Sequence, residues 1–398
     1  MVETWLIELL KGIGKLFLNP LLYWSLLLIF AAGYFRIKRE RLDFGVKVFD
    51  LFSEWRKTWT TTLISGIILS LIMLVVGIVF SYETILLLSV VTIILSITMR
   101  FTMLSPSYTL GITIILLVFS PQLLEYQSYI DSSLFSEVNF SSLVILLGLL
   151  LFVEAILIRN VDRNRTYPSL LLSERGIWIG QHRLKKLGII PFFVLVPTGM
   201  ITSFPPFWPY FSIGGESFSI LLVPFVLGFD FIVRGNLPLN AAKKLAKSIA
   251  ILGVLVVFIG VGSMYLSSLS IVAVIIAIFG REWIQYRYKV NDRTNVPYFH
   301  PENNGLKILG IIPGTPAERL DILVGETIIK VNGVKINTEQ DFYSSLQSSG
   351  AYFKLEVVDD ANEMRFVQGP FYEGDHHELG LIFTVKPYRE KKKRKNIS

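Results

Sequence analysis

The sequence predicts an α-helical polytopic membrane domain of about six to nine transmembrane helices, followed by a small α+β domain. Three observations predict it. Of 398 residues, 52% are hydrophobic and 17% charged, whereas a soluble domain carries roughly a quarter charged residues. Long apolar runs recur from Pro20 to Gly280. From Arg281 onward charges become frequent and the apolar runs shrink to strand length.

The apolar runs are Pro20–Phe35, Thr58–Phe80, Thr84–Thr98, Met103–Ser120, Ser141–Ile158, Leu187–Ser203, Ser217–Val233, Ser248–Tyr265 and Ser267–Gly280. A bilayer core of about 30 Å needs roughly 20 helical residues. Several runs are shorter, so tilted, hairpin or re-entrant segments are expected among them. The resulting division is 1–19, an interfacial helix; 20–280, the polytopic domain; 281–301, a charged linker; 302–386, the α+β domain; and 387–398, a basic disordered tail.

Loop charge sets the orientation. Arg36–Lys57, Arg159–Lys186 and Arg234–Lys247 are rich in lysine and arginine, whereas Pro121–Phe140 and Phe204–Glu216 have none. Positive loops face the cytoplasm, which places everything after Gly280 inside the cell. Nine crossings would put the N-terminus outside and eight would put it inside. Trp5, Leu6, Leu9, Leu10, Ile13, Leu16 and Phe17 recur at helical spacing among Glu8, Lys11 and Lys15. That pattern reads as an amphipathic helix in the membrane interface, or as a half-helix leading into the first span. No small-residue cleavage site follows it, so it does not read as a cleavable signal.

Few groups offer chemistry. There is no cysteine, which excludes disulfides, thiolate nucleophiles and cysteine-ligated zinc. The four histidines, His182, His300, His376 and His377, form no His-Glu-x-x-His motif. Asp375-His376-His377-Glu378 reads as a solvated loop, and no metal or cofactor is expected. Of the charges near spans, Arg100 is expected in a turn and Glu154 at the inner end of its span. Asp230 is expected to pair with Arg234 one helical turn away. Ser65 beside Gly66 has no membrane-embedded base, so an intramembrane serine protease lacks its activating group. The chain therefore reads as non-enzymatic.

In the tail, Leu306–Ile312 is strand-like and stops at Pro313-Gly314-Thr315-Pro316-Ala317. Ala317–Leu323 can form a short helix. Gly325–Ile336 reads as two strands joined by Asn332-Gly333, a tight-hairpin signal because both residues tolerate positive φ. Asn337 or Thr338 caps a helix bearing Phe342, Tyr343 and Leu346. Phe353–Val358, Met364–Val367 and Glu378–Thr384 are further strands.

The run Pro313–Ala317 followed by Val324–Gly333 resembles the bacterial PDZ domain, with two departures. Glu326 stands where the family has aspartate, and Asp321 where it often has glycine. The resemblance implies binding of an extended peptide as an added strand. Glu378–Phe383 resembles the family's carboxylate-binding loop but lies at the far end of the domain, which implies a circularly permuted order. The candidate peptide-binding residues are then Leu379, Gly380, Leu381, Ile382 and Phe383, facing Thr338, Phe342 and Leu346. Leu379–Phe383 reads equally as a closing core strand.

The order of a many-span half and a single C-terminal PDZ domain, with the basic segment Gly33–Arg41, resembles the MinJ family, division-site topology proteins of Bacillus-type Gram-positive bacteria. The resemblance implies a membrane scaffold at division septa and poles. It would bridge a DivIVA-like polar protein to the inhibitors MinC and a MinD-like ATPase, among other divisome membrane proteins. Alternatives are a PDZ-bearing regulatory subunit of membrane proteolysis, or a transporter with a PDZ sensor that uses Asp230 or Glu154. Arg36, Lys38, Arg39 and Arg41, with Lys391, Lys392, Lys393, Arg394 and Lys395, are candidates for contact with anionic lipid. Nucleic acid is not an expected partner.

Overall fold

The computed structural model describes residues 2–125, 135, 138–203, 208–211, 217–302, 304–348, 352–370, 379–385 and 387–388. The chain opens with α1 (Val2–Leu16), α2 (Pro20–Phe44), the short α3 (Ser53–Arg56), α4 (Trp59–Val76), α5 (Tyr82–Ser96), α6 (Pro106–Glu125) and α7 (Phe140–Arg159). A three-stranded antiparallel sheet follows: β1 (Tyr167–Leu172), β2 (Trp178–Thr202) and β3 (Ser217–Val233). Helices α8 (Pro238–Gly262) and α9 (Leu269–Thr294) lead to the C-terminal domain. Among the described residues α2, α4, α7, α8 and α9 are long and apolar enough to cross a membrane, and α5 and α6 contribute shorter apolar helices.

Local chemistry sets the helix ends. Asn19 caps α2 by accepting the Leu21 N–H, with Pro20 at the first helical position, where a missing N–H costs nothing. Ser81 and Asn139 cap α5 and α7 in the same way. Small residues set the helix spacing, as membrane bundles require. Gly148 on α7 and Gly253 on α8 lie face to face, and a Cβ on either would touch the other's carbonyl oxygen at 3.1 Å.

Two of the expected helical spans are strands. Leu187–Ser203 and Ser217–Val233 lie in β2 and β3, which pair from His182↔Val233 to Thr202↔Ser217. At membrane depth every backbone donor and acceptor needs a partner within the protein, and the outer edge of β2 meets that need through its neighbours. Pro191 faces Pro224 across the ladder. Neither can donate, so this is a non-hydrogen-bonded pair and residues 191, 193, 195 and 197 of β2 point their backbone groups outward. Pro191 and Pro197 have no N–H to satisfy. The Phe193 N–H donates to Ser70 Oγ of α4 (2.9 Å), and the Leu195 N–H to the Ile78 carbonyl (3.3 Å). The Thr58 hydroxyl donates to the Leu187 carbonyl at 2.9 Å. Gly66 lets α4 come this close, because a Cβ there would collide with the Pro191 carbonyl oxygen. The small and hydroxylated residues of α4 are thus a binding face for a strand.

At the far end of the hairpin α1 lies across β3. Its Glu8 is buried and accepts from Ser219 Oγ at 2.6 Å, and Lys15 reaches the Tyr82 hydroxyl at 3.0 Å. Leu6, Leu10, Ile13 and Phe17 are exposed. The polar side of α1 therefore faces the protein and much of its apolar side faces outward.

Three charged residues depart from expectation. Glu154 is fully buried and forms a 2.7 Å ion pair with Arg281, itself fully buried. The Ser105 hydroxyl donates to the other Glu154 oxygen at 2.6 Å, and the guanidinium stacks 4.9 Å from the Phe231 ring. Arg281 therefore belongs to the bundle and does not begin a linker, since α9 continues to Thr294. Asp230 lies on a strand, where Arg234 is not one turn away. It pairs with Arg183 across the ladder at 2.6 Å.

The C-terminal domain comprises β4 (Leu306–Ile311), α10 (Pro316–Arg319), β5 (Thr327–Val331), β6 (Val334–Lys335), α11 (Glu339–Gln347), β7 (Tyr352–Val358), β8 (Met364–Pro370) and β9 (Leu381–Phe383). Its strand order is β8-β7-β5-β4-β9, with β6 pairing β5. The domain is seated on the end of the hairpin opposite α1. The Gly180 N–H donates to the Phe299 carbonyl (2.8 Å) and the Tyr298 N–H to the Arg234 carbonyl (2.7 Å). Arg163 donates to the Val324 carbonyl and grips Asp360 with both terminal nitrogens, while Asn164 exchanges hydrogen bonds with Ile322 and Val324. His182 is buried in this seam against Phe299, with Nδ1 2.8 Å from the Thr166 hydroxyl. Burial holds its pKa down at about 3.

Gly66→Leu should destabilise the full chain in detergent by about 1–3 kcal/mol through forced separation of α4 and β2. Gly14→Ala, with open space around it in α1, should not lower thermal stability and should raise it by up to about 1 kcal/mol. Glu154→Leu should cost about 3–5 kcal/mol by stranding a buried cation, and adding Arg281→Met should recover much of that loss. The His182 pKa is lowered from an unfolded value near 6.5. Its neutral form therefore stabilises the fold fully above about pH 6.5, and that stability is lost as the pH falls toward 3. Acidification from pH 7.5 to 5 should weaken the seam by about 2 kcal/mol, read as faster proteolytic release of the C-terminal domain, and His182→Gln should flatten the dependence.

Candidate peptide-binding edge

The turns of the C-terminal domain follow from its sequence. Asn332 and Gly333 take φ of 51° and 83°, closing the β5–β6 hairpin. Asp321 adopts φ 52°, the left-handed conformation that a glycine would accept without strain. Glu326 is buried, accepts the Leu323 N–H at 2.8 Å and pairs with Arg365 at 2.7 Å. Its extra methylene thus still serves a turn-closing carboxylate.

The last strand, β9, lies at the sheet edge beside the first strand of the domain. Leu381 pairs with Ile311, Ile382 with Gly310 and Phe383 with Ile308. The Gly380 carbonyl accepts from Ile312 N–H (2.9 Å) and the Leu379 carbonyl from Ala317 N–H (3.0 Å). Gly380 has φ 77°, and a Cβ there would collide with the Thr315 side chain. Leu379, Leu381, Ile382 and Phe383 are all buried. Their side chains close the core, while the backbone of β9 forms the margin of the sheet.

Helix α11 comes against this margin. Phe342 and Phe383 meet edge to face with ring centroids 5.2 Å apart, and Leu346 is buried in the same core. Thr338 is exposed, and its side chain is used as the cap of α11, accepting the Asp341 N–H at 3.1 Å while Asp341 accepts from Thr338 N–H. It is a positioning residue for the helix. Glu339, half-buried in the first turn, has its pKa raised by burial.

The basic candidates separate. Arg36 is not a surface residue: its guanidinium binds Glu54 (2.8 Å) and Glu40 (2.6 Å), and the carbonyls of Phe49 and Asp50 complete its partners. It also lies 4.9 Å from the Tyr167 ring. Arg39 is half-buried, and Lys38 and Arg41 are exposed. Lys391, Lys392, Lys393, Arg394 and Lys395 lie outside the described residues, as do His376 and His377. Among the described residues no group of three His, Cys, Asp or Glu side chains is placed to hold a metal. Arg163 and Asn164, which lock the domain in place, carried no signal beyond positive charge in a loop.

A PDZ domain family matches residues 307–358, the stretch from β4 through β7. The "Cell division topological determinant MinJ" of Bacillus subtilis (strain 168) is 37% identical over 393 residues, covering 98% of each chain. The "Probable cell division topological determinant MinJ" of Lacticaseibacillus paracasei is 22% identical over 258 residues, covering 63% of this chain and 68% of its own. With end-to-end similarity at this level, and a PDZ domain seated behind a bundle of apolar helices, the chain belongs to the MinJ family of cell division topological determinants.

Proposed function

We propose that the protein is a non-enzymatic membrane scaffold for division-site selection, with its PDZ domain in the cytoplasm. The observation that carries this reading is the docked domain itself: a PDZ sheet with its edge strand β9 beside α11, seated by Arg163 and Asn164 on a membrane bundle. Basic loops crowd the end of the bundle that holds this domain, in keeping with a cytoplasmic position. In this reading seven apolar helices cross the membrane and the hairpin returns to its starting end, so α1 lies on the outer side with Leu6, Leu10, Ile13 and Phe17 turned to lipid.

In this reading β9 takes the place of the groove strand in a circularly permuted order, and a partner's extended segment adds to its free edge. Leu381, Ile382 and Phe383 supply backbone groups there, and Phe342 and Leu346 support the opposing helix. Confinement to the membrane raises the effective concentration of each partner for the others. The partners are a DivIVA-like polar protein, MinC with a MinD-like ATPase, and other divisome membrane proteins, met at septa and poles. Both charges that a transport path would use, Glu154 and Asp230, are held by arginines, and nothing favours a flux reading.

A fluorescent fusion of the full chain should concentrate at septa and poles of dividing rods, and a deletion strain should form long cells. Diffuse membrane signal with normal cell length would overturn the proposal. Gly380→Glu is a poor probe of the groove, because it clashes with Thr315 and would unseat β9. Tyr343→Lys, at a half-buried position of α11 packed on the domain core, should instead reduce partner recruitment about tenfold or more, the scale of losing one interface anchor, with circular dichroism of the variant separating this from loss of folding.

A further inference from the structure

Where α2 leaves the bundle, a cavity of about 240 Å³ opens between α2, β1 and β2, bordered by Phe35, Arg39, Tyr167, Ser169, Arg183 and Lys185. We propose that it binds the phosphodiester of an anionic phospholipid head group. Three cations from two elements converge on it. Arg36 and Glu40 also border the cavity but spend their polar atoms on each other, on Glu54 and on backbone groups.

The three remaining cations have donors to spare. Among the described residues Arg39 has one carboxylate contact, to Asp43 at 3.9 Å, and its buried Nε has no hydrogen-bond partner. Arg183 gives Nε and Nη2 to Asp230, leaving Nη1. Lys185 lies 4.0 Å above the Phe101 ring, and among the described residues it has no ion pair. Ser169 Oγ accepts from Gln181 at 3.2 Å, so its own proton remains to be given. Among the described residues the carboxylates near these cations are all engaged: Glu40 with Arg36 and two backbone N–H groups, Glu54 with Arg36, Asp230 with Arg183, and Asp43 with the Leu170 N–H. Such a cluster of donors suits an oxyanion held by charge-assisted hydrogen bonds.

Depth favours a lipid as the source. From Pro20 to Arg39 a helix rises about 28 Å, close to the roughly 30 Å of a bilayer core, which sets Arg39 at head-group level. Tyr34 and Phe35 are exposed beside it, as aromatic residues are at that level. The site also adjoins the seam: Asp43, which holds Arg39, accepts the Leu170 N–H at 3.3 Å and, through its carbonyl, the Tyr388 N–H at 3.0 Å.

The test is retention of lipid by the full chain, purified from nanodiscs of phosphatidylcholine with or without phosphatidylglycerol and read by native mass spectrometry. Wild type should retain phosphatidylglycerol selectively. Arg39→Gln with Lys185→Gln should lower retention about ten- to thirty-fold, from about 1 kcal/mol per charge. Arg39→Lys with Lys185→Arg should keep it, and Lys335→Gln with Lys354→Gln, an exposed pair on the C-terminal sheet away from the cavity, should not change it. Equal retention by the Gln pair, or equal loss in the exposed pair, would overturn the site. Thermal stabilisation of wild type by inorganic phosphate as large as that by phosphatidylglycerol would overturn the lipid source. Should the Gln pair not fold, Lys185→Met alone carries the same comparison.

Discussion

Every peptide N–H and C=O of the β2–β3 hairpin that lies among the membrane helices must find a partner, and the rest of the bundle is arranged around that demand. A two-stranded ribbon has two open edges, and lipid offers neither donor nor acceptor. Proline removes two donors from the outer edge of β2, Ser70 and the Ile78 carbonyl serve the positions between, and Thr58 serves the Leu187 carbonyl before them. Gly66 and Gly12 bring α4 and α1 against the strands, the first on the Pro191 carbonyl and the second on that of Ile220. A helix with bulky residues at these positions could cover the ribbon with apolar surface yet leave its backbone unsatisfied.

The same hairpin gives the C-terminal domain its seat. β2 runs without a break from the buried contacts with α4 to the strand pairing with β1, and Phe299 pairs with it at Gly180. The position of the PDZ sheet is therefore tied to the membrane bundle by a β-strand and by the Arg163–Asn164 lock, in place of a flexible tether. A partner that adds a strand to β9 would meet a surface already oriented relative to the bilayer, and would not lose binding energy to ordering it.

Much of this was legible in the residues. The PDZ turns were, because Asn332-Gly333 and Pro313-Gly314 state their backbone conformations locally. The apolar helices and the charge asymmetry of their loops were, because both depend on composition. The hairpin was not, because a fully buried strand and a buried helix share the same unbroken apolarity. Its clues were β-branched and aromatic residues with proline at 191, 197 and 224, which a membrane helix also tolerates. The burial of Arg36 and the Glu154–Arg281 pair were hidden for another reason. Each depends on residues brought together by packing, and charge counted along a loop carries no depth. The sheet margin was half legible: the segment 379–383 could be named as a strand, but its double use, side chains for the core and backbone for the margin, is a property of the sheet.

Glu154 and Arg281 are 127 residues apart in the chain. On a ribosome adding about 5–20 residues per second, α7 is made on the order of ten seconds before its counter-ion exists. During that interval the carboxyl group must stay at the lipid–water boundary or against the insertion machinery. Closure of the bundle therefore waits for the last helix to enter the membrane. The domain that follows α9 emerges onto a platform completed only moments earlier, so assembly proceeds from the bilayer outward.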